Sequence, residues 1–131
     1  MELGKDSIDL GIVVRDVAAC REFYGETLGF PFEGEMLLGN DLKLYRYQIG
    51  TTVLKLLAGA EDIPTGPSGL REQIGLRYFT ITVKDLDASV ETVRRWGVEP
   101  VTPPRDVRPG VRMAMFRDPD GNMVELIETL A

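Results

Sequence analysis

The chain contains no histidine. That absence removes the imidazole base of most catalytic triads and the commonest metal ligand. It holds a single cysteine, Cys20, so no internal disulfide can form; this suits a reducing compartment and makes the cytoplasm the expected location. No apolar run approaches the ~20 residues that a membrane-spanning helix needs. The opening Met1-Glu2-Leu3-Gly4-Lys5-Asp6 lacks the apolar segment of a secretory signal. Positive charge is in the minority, 15 Lys and Arg against 21 Asp and Glu for a net charge of −6. That balance argues against nucleic acid as a partner, because phosphate binding needs clustered cations. What is left is ordinary for a globular domain: 131 residues, 44% hydrophobic and 27% charged, enough to bury one core.

What is present reads twice. Ile8-Asp9-Leu10-Gly11-Ile12-Val13-Val14-Arg15-Asp16 returns in pattern as Arg77-Tyr78-Phe79-Thr80-Ile81-Thr82-Val83-Lys84-Asp85. Each copy leads into a helix-like stretch that stops at a glycine, Gly29 or Gly97, and each half closes on an apolar segment, Val53–Leu57 or Met123–Ile127. Two copies are too few for a solenoid and point to one domain with pseudo-two-fold symmetry. The first half predicts strands over 8–14, 33–38, 42–49 and 51–58, with a helix from Val17 to Tyr24 capped by Asp16. Gly39-Asn40-Asp41 supplies the turn between its second and third strands.

Residues 59–74 hold Gly, Pro and Ser without periodicity and read as the connection between modules, with the length of a flap. The second half predicts strands over 77–83, near 99–102, over 111–117 and over 123–128. Its helix starts at Asp85 or Asp87, with Trp96 closing it against the sheet. Asp118-Pro119-Asp120-Gly121-Asn122 reads as a tight turn, too short for a calcium loop. The fold class is therefore α+β: module one over about 7–58, the connecting loop over about 59–74, and module two over about 75–131.

Strand alternation divides each sheet into two faces. Leu10, Ile12, Val14, Leu54, Leu56, Phe79, Ile81, Val83, Val124 and Leu126 form wholly apolar faces, expected to pack under the helices. Asp9, Gly11, Val53, Lys55, Leu57, Tyr78, Thr80, Thr82, Met123 and Glu125 mix aliphatic, polar and charged groups, the composition of a small-molecule pocket.

Phe23-Tyr24 through Leu28-Gly29-Phe30, the Val-x-Asp after each first strand, and Phe116-Arg117-Asp118-Pro119-Asp120-Gly121-Asn122-x-x-Glu125-Leu126 together resemble the vicinal oxygen chelate superfamily. This is the group of glyoxalase I, bleomycin-resistance proteins and extradiol dioxygenases. The resemblance implies two βαβββ modules forming cupped sheets around a cleft, commonly in a homodimer. It also implies, in metal-dependent members, four ligands on the cleft face, two of them usually histidines. Carried over, those positions fall on Asp9, Lys55, Tyr78 and Glu125. Only Glu125 matches the family's pattern; Asp9 could serve beside it as a second carboxylate ligand, but the Lys55 ammonium is a donor that cannot coordinate a cation. The resemblance therefore implies a site in which Lys55 replaces the ion and pairs with Asp9 and Glu125. No metal or other cofactor is expected, with a divalent ion disfavoured rather than excluded.

Three functions follow as expectations. The first is a metal-independent binder of a mostly apolar or aromatic compound. Its ligand-binding residues are Asp9, Tyr45, Tyr47, Lys55, Tyr78, Thr80, Met113, Met115, Met123 and Glu125, with the methionines as adaptable lining. The second is a lyase, isomerase or epimerase, with Glu125 as base and Lys55 or Tyr78 stabilising the oxyanion. The third is an accessory module whose cleft is filled by side chains. Lys55, Asp9 and Glu125 also read as a structural ion-pair cluster, since charges on a half-buried face need partners. Arg46 and Arg112 read as surface cations or as anion attractors at the cleft's rim.

Overall fold

A computed structural model describes residues 2–38, 42–58, 62–66 and 69–130. The chain divides into two compact units, Met1–Pro64 and Thr65–Ala131. The expected turn at Gly39-Asn40-Asp41 lies outside the described residues, as does part of the connection between the units.

Module one runs β1 (Leu10–Val14), α1 (Val17–Glu22), a π-helical turn (Phe23–Thr27), β2 (Phe32–Leu38), β3 (Leu42–Ile49) and β4 (Thr52–Ala58). Its strands form one sheet in the order β1-β4-β3-β2. β1 lies parallel to β4, whereas β3 pairs antiparallel with both β4 and β2. The parallel pair requires a crossover, and α1 with its π turn supplies it. Asp16 caps α1 by accepting from the Ala19 amide at 3.1 Å. The expected regular helix to Tyr24 stops short at Glu22, because the π turn widens the coil from Phe23. That widening buries Phe23, Tyr24 and Thr27 together and sets the Phe23 and Tyr24 rings edge to face, 5.0 Å apart. Below them lie Val14, Cys20, Leu54 and Leu56, none exposed by more than 1%. Truncating Leu54 or Leu56 to alanine would cost roughly 2–5 kcal/mol.

Module two repeats the plan: β5 (Tyr78–Thr82), α2 (Leu86–Arg95), β6 (Thr102–Arg108), β7 (Val111–Arg117) and β8 (Met123–Thr129), in the sheet order β5-β8-β7-β6. Asp85 rather than Asp87 is the cap, accepting from the Ala88 amide at 3.0 Å. The buried Glu128 reaches from β8 to accept from the Leu86 amide at 3.2 Å. It thereby places a carboxylate at the positive end of the helix. Leu86, Val90 and Val93 are the buried stripe of α2. Trp96 is not part of that stripe: it follows the last helical turn and is 46% exposed. Gly97 leaves the helix at φ +80, as Gly29 does after the π turn at φ +74, a region open to glycine at little cost. The second strand of this module lies at Thr102–Arg108 and meets the expected strand near 99–102 only at Thr102. Pro103 and Pro104 sit inside β6, at the edge of the sheet, where register shifts accommodate the missing donors.

Candidate functional site

The ladders assign every predicted site residue to a face. In module one, Tyr45 pairs with Leu56 and Tyr47 with Leu54, while Arg46 pairs with Lys55. Directly paired residues point the same way. Tyr45 and Tyr47 therefore lie on the face under α1, opposite Lys55, and the expected grouping of the tyrosines with Lys55 separates. Tyr47 is buried, and its hydroxyl accepts from Arg21 Nε of α1 at 3.3 Å. The Arg21 guanidinium covers the Tyr45 ring at 4.6 Å and the Phe32 ring at 4.9 Å. The Tyr47 contact, more than burial opposes it, raises the Arg21 pKa above its ordinary value.

Beside this stack is a cavity of about 310 Å³, lined among others by Arg21, Glu22, Gly25, Phe32 and Tyr47. Gly25 fits closely there: a Cβ would meet Tyr47 Cε1 at 3.1 Å, so the ring would have to give by a few tenths of an ångström. Sequence reasoning missed the cavity because it depends on the π turn, which has no signature in residue spacing.

The face away from α1 carries a row across all four strands: Gly11, Lys55, Arg46 and Gly34. On one side of the row lie Val13, Leu57, Leu44 and Met36; on the other lie Val53 and Gln48. Lys55 and Arg46 are half-buried. Asp9 precedes β1, and its Oδ1 accepts from Lys5 Nζ at 2.6 Å and from the Val53 amide at 2.8 Å. The Lys5 hydrogen bond first, and the Val53 amide second, hold its carboxyl below the ordinary value, with Lys55 a lesser contributor. The ion-pair partner of Asp9 is thus Lys5 rather than Lys55. Lys5 lies outside the repeat, so the comparison of the two halves passed it over.

In module two the face away from α2 holds Tyr78, Thr80 and Thr82 on β5. Across from them on β8 stand Met123, Glu125 and Ile127, and β7 adds Met115 opposite Glu125 and Met113 opposite Ile127. Glu125 Oε1 accepts from Thr80 Oγ1 at 2.7 Å, a bond between direct register partners. Met113, Met115 and Met123 form a buried cluster with Ile127 packed against it, while Tyr78 is half exposed. Arg112 belongs to the other face. It grips Asp87 of α2 through two bonds of 2.9 and 3.1 Å and sits 3.7 Å from Asp106. That removes it from the face expected to bind.

The turn before β8 positions Glu125. Buried Asp118 accepts from the amides of Asp120 and Asn122 at 3.0 and 2.8 Å, and from the Asn122 side chain at 2.8 Å. Its carboxylate is used to close the turn, as expected of this segment rather than of a calcium loop.

The resemblance assigns metal ligands to the positions of Asp9, Lys55, Tyr78 and Glu125. Lys55 is a cation, Asp9 is engaged by Lys5 and Val53, and Glu125 is bonded to Thr80. Among the described residues no three His, Cys, Asp or Glu side chains group closely enough to hold a metal. No described helix is long and apolar enough to cross a membrane.

Comparison with known proteins agrees with this architecture. The uncharacterized protein YaeR of Escherichia coli (strain K12) is 30% identical over 125 residues, covering 91% of this chain and 92% of the relative. The solved structure of SMU.1112c is 28% identical with a TM-score of 0.83, covering 96% of this chain and 100% of that one. TnmS3, an antibiotic binding protein from Streptomyces sp. CB03234, shares the fold at 24% identity and a TM-score of 0.74, covering 98% of this chain and 99% of that one. The model of the Glyoxalase/Bleomycin resistance protein/Dioxygenase superfamily matches residues 8–126, and the chain belongs to that superfamily.

Proposed function

We propose that this protein binds a small, mostly apolar molecule on the sheet faces turned away from its helices, and does so without a metal. The observation that carries the reading is the side chain at the centre of the module-one face. Lys55 stands where a metal-dependent relative would need an electron-pair donor, and an ammonium has none to give. Beside it, Leu57 and the exposed Met36 offer aliphatic surface; module two has a comparable face of its own, where the half-exposed Tyr78 stands beside the polarizable Met123. The antibiotic-binding role of TnmS3 supports this reading as an example of what the fold can hold. The expected homodimer and cytoplasmic location belong to the same proposal, and light scattering on the eluted protein tests the first.

The direct test is a thermal-shift titration of chelator-treated protein with Ni²⁺, Zn²⁺, Mn²⁺ and Fe²⁺. A native-state ligand at a hundredfold excess over its Kd adds about 2.7 kcal/mol of apparent stability. No metal is expected to give such a shift. A metal-specific shift that disappears in Glu125→Gln would overturn the reading.

A second reading, proton transfer beside a carbonyl with Glu125 as base, is favoured by one feature. Thr80 occupies Glu125 Oε1, which leaves Oε2 as an acceptor. Turnover of an α-hydrogen substrate, abolished by Glu125→Gln in a protein that still folds, would establish it.

A further inference from the structure

Arg46 and Lys55 are direct partners in the antiparallel β3–β4 ladder, so their side chains leave the same face about 5 Å apart. Like charges so placed repel, and a sheet that keeps them needs something to offset the cost. The other cations of the module each have a partner: Lys5 holds Asp9, Arg15 donates to the Ile63 carbonyl, Lys43 sits 3.4 Å from Glu35, and Arg21 lies on Tyr45 and Phe32. Arg46 and Lys55 have neither an ion pair nor a hydrogen bond among the described residues. Asp9, whose carboxyl feels the charge of Lys55, is already bonded to Lys5. Both cations are half-buried, which weakens the screening that water gives to rim residues.

The ends of the same row are empty of side chains. Gly11 flanks Lys55 and Gly34 flanks Arg46. A Cβ at Gly11 would press on Leu57 Cδ1 at 3.2 Å, whereas one at Gly34 would meet nothing within 4 Å. The row is therefore open at the Gly34 end, beside Arg46, while Leu57 of the adjoining apolar row leans over its Gly11 end.

We propose that Arg46 and Lys55 together bind an oxyanion, so that the small molecule taken by module one carries a carboxylate or phosphate next to an apolar body. The guanidinium supplies a planar fork that matches two oxygens, and the ammonium supplies a compact charge beside it. The apolar body rests on the small-molecule reading above; the anion site itself does not.

Four probes at constant ionic strength separate the claims, with chelator-treated full-length protein and thermal shift as readout: 1-naphthoate, its neutral isostere 1-naphthamide, inorganic phosphate, and chloride. Naphthoate is expected to bind at least tenfold more tightly than naphthamide. Arg46→Met and Lys55→Met, which keep the apolar stems, are each expected to abolish that preference and to melt no lower than the parent without ligand. A phosphate shift lost in both variants identifies phosphate as the anion; a shift with naphthoate alone identifies a carboxylate. Equal binding of naphthoate and naphthamide without a phosphate shift overturns the anion site and leaves the small-molecule reading standing. Phosphate binding with neither naphthyl compound bound does the reverse. Silence from all the probes overturns both, and an anion preference that survives in both variants overturns the Arg46–Lys55 site alone, by placing the anion elsewhere. If one methionine variant fails to fold, the other decides, with Lys55→Gln as its companion.

Discussion

Asp118 closes the turn that leads into β8 and Glu125, and its removal has a calculable cost. Its carboxylate is buried at 3% exposure and accepts three hydrogen bonds, two from backbone amides and one from the Asn122 side chain. A net hydrogen bond contributes about 1 kcal/mol, and a donor left without its acceptor costs at least that much. Asp118→Ala strands three donors, so the expected loss is about 3 kcal/mol, or about 10 °C in Tm for a chain of this size. Asp118→Asn keeps an oxygen for the two amides and turns its NH₂ toward the Asn122 side chain. It should cost about half as much. Urea unfolding followed by tryptophan fluorescence, with unchanged slopes, measures both. A loss below 0.5 kcal/mol (about the scale of neutral surface changes) for Asp118→Ala would refute the reasoning. So would equal losses for the two variants.

Other parts of the account yield shorter tests. Gly25→Ala sets a Cβ 3.1 Å from the buried Tyr47 ring; overpacking of this kind costs about 1–3 kcal/mol, and urea unfolding should show the loss. The depressed Asp9 carboxyl makes stability pH-dependent. Its contribution is fully present above the ordinary value of 3.8 and fades as pH falls through the lower folded value. Asp9→Asn should therefore melt below the parent at neutral pH and converge with it in acid. A constant gap across that range would refute the Lys5–Asp9 assignment. Cys20 is buried and forms no disulfide, so a thiol reagent should label it only as the protein unfolds, and labelling of the native state at the rate of an exposed thiol would contradict the packing.

The order of elements was legible in the sequence because binary patterning and the repeat agree at every landmark. Leu54 and Leu56 flank Lys55, Val124 and Leu126 flank Glu125, and these four apolar residues are buried under the helices. The caps Asp16 and Asp85 were legible too, since a carboxylate before an apolar helical stripe has one economical use. The site was less so. Alternation within a strand cannot say which face of a separate strand joins it. Tyr45 and Tyr47 were therefore set beside Lys55, although the β3–β4 register places Arg46 there. Of the two readings of Arg112, the surface cation holds: its pairing with Glu128 sets it on the helix side, where it bonds Asp87. Pro103 and Pro104 shortened the expected strand because the sequence does not reveal an edge position, where prolines are tolerated. The π turn, and with it the Arg21–Tyr47 cavity, arises from tertiary packing.

The most direct test of a metal-free ligand face on module one is amide chemical-shift mapping of chelator-treated protein during titration with 1-naphthoate. The account predicts saturable shifts centred on Gly11, Arg46, Lys55 and Leu57, with no metal added. Shifts confined to Arg21, Gly25 and Phe32 would move the site to the cavity under α1, and shifts that appear only after a divalent ion is supplied would contradict the central claim.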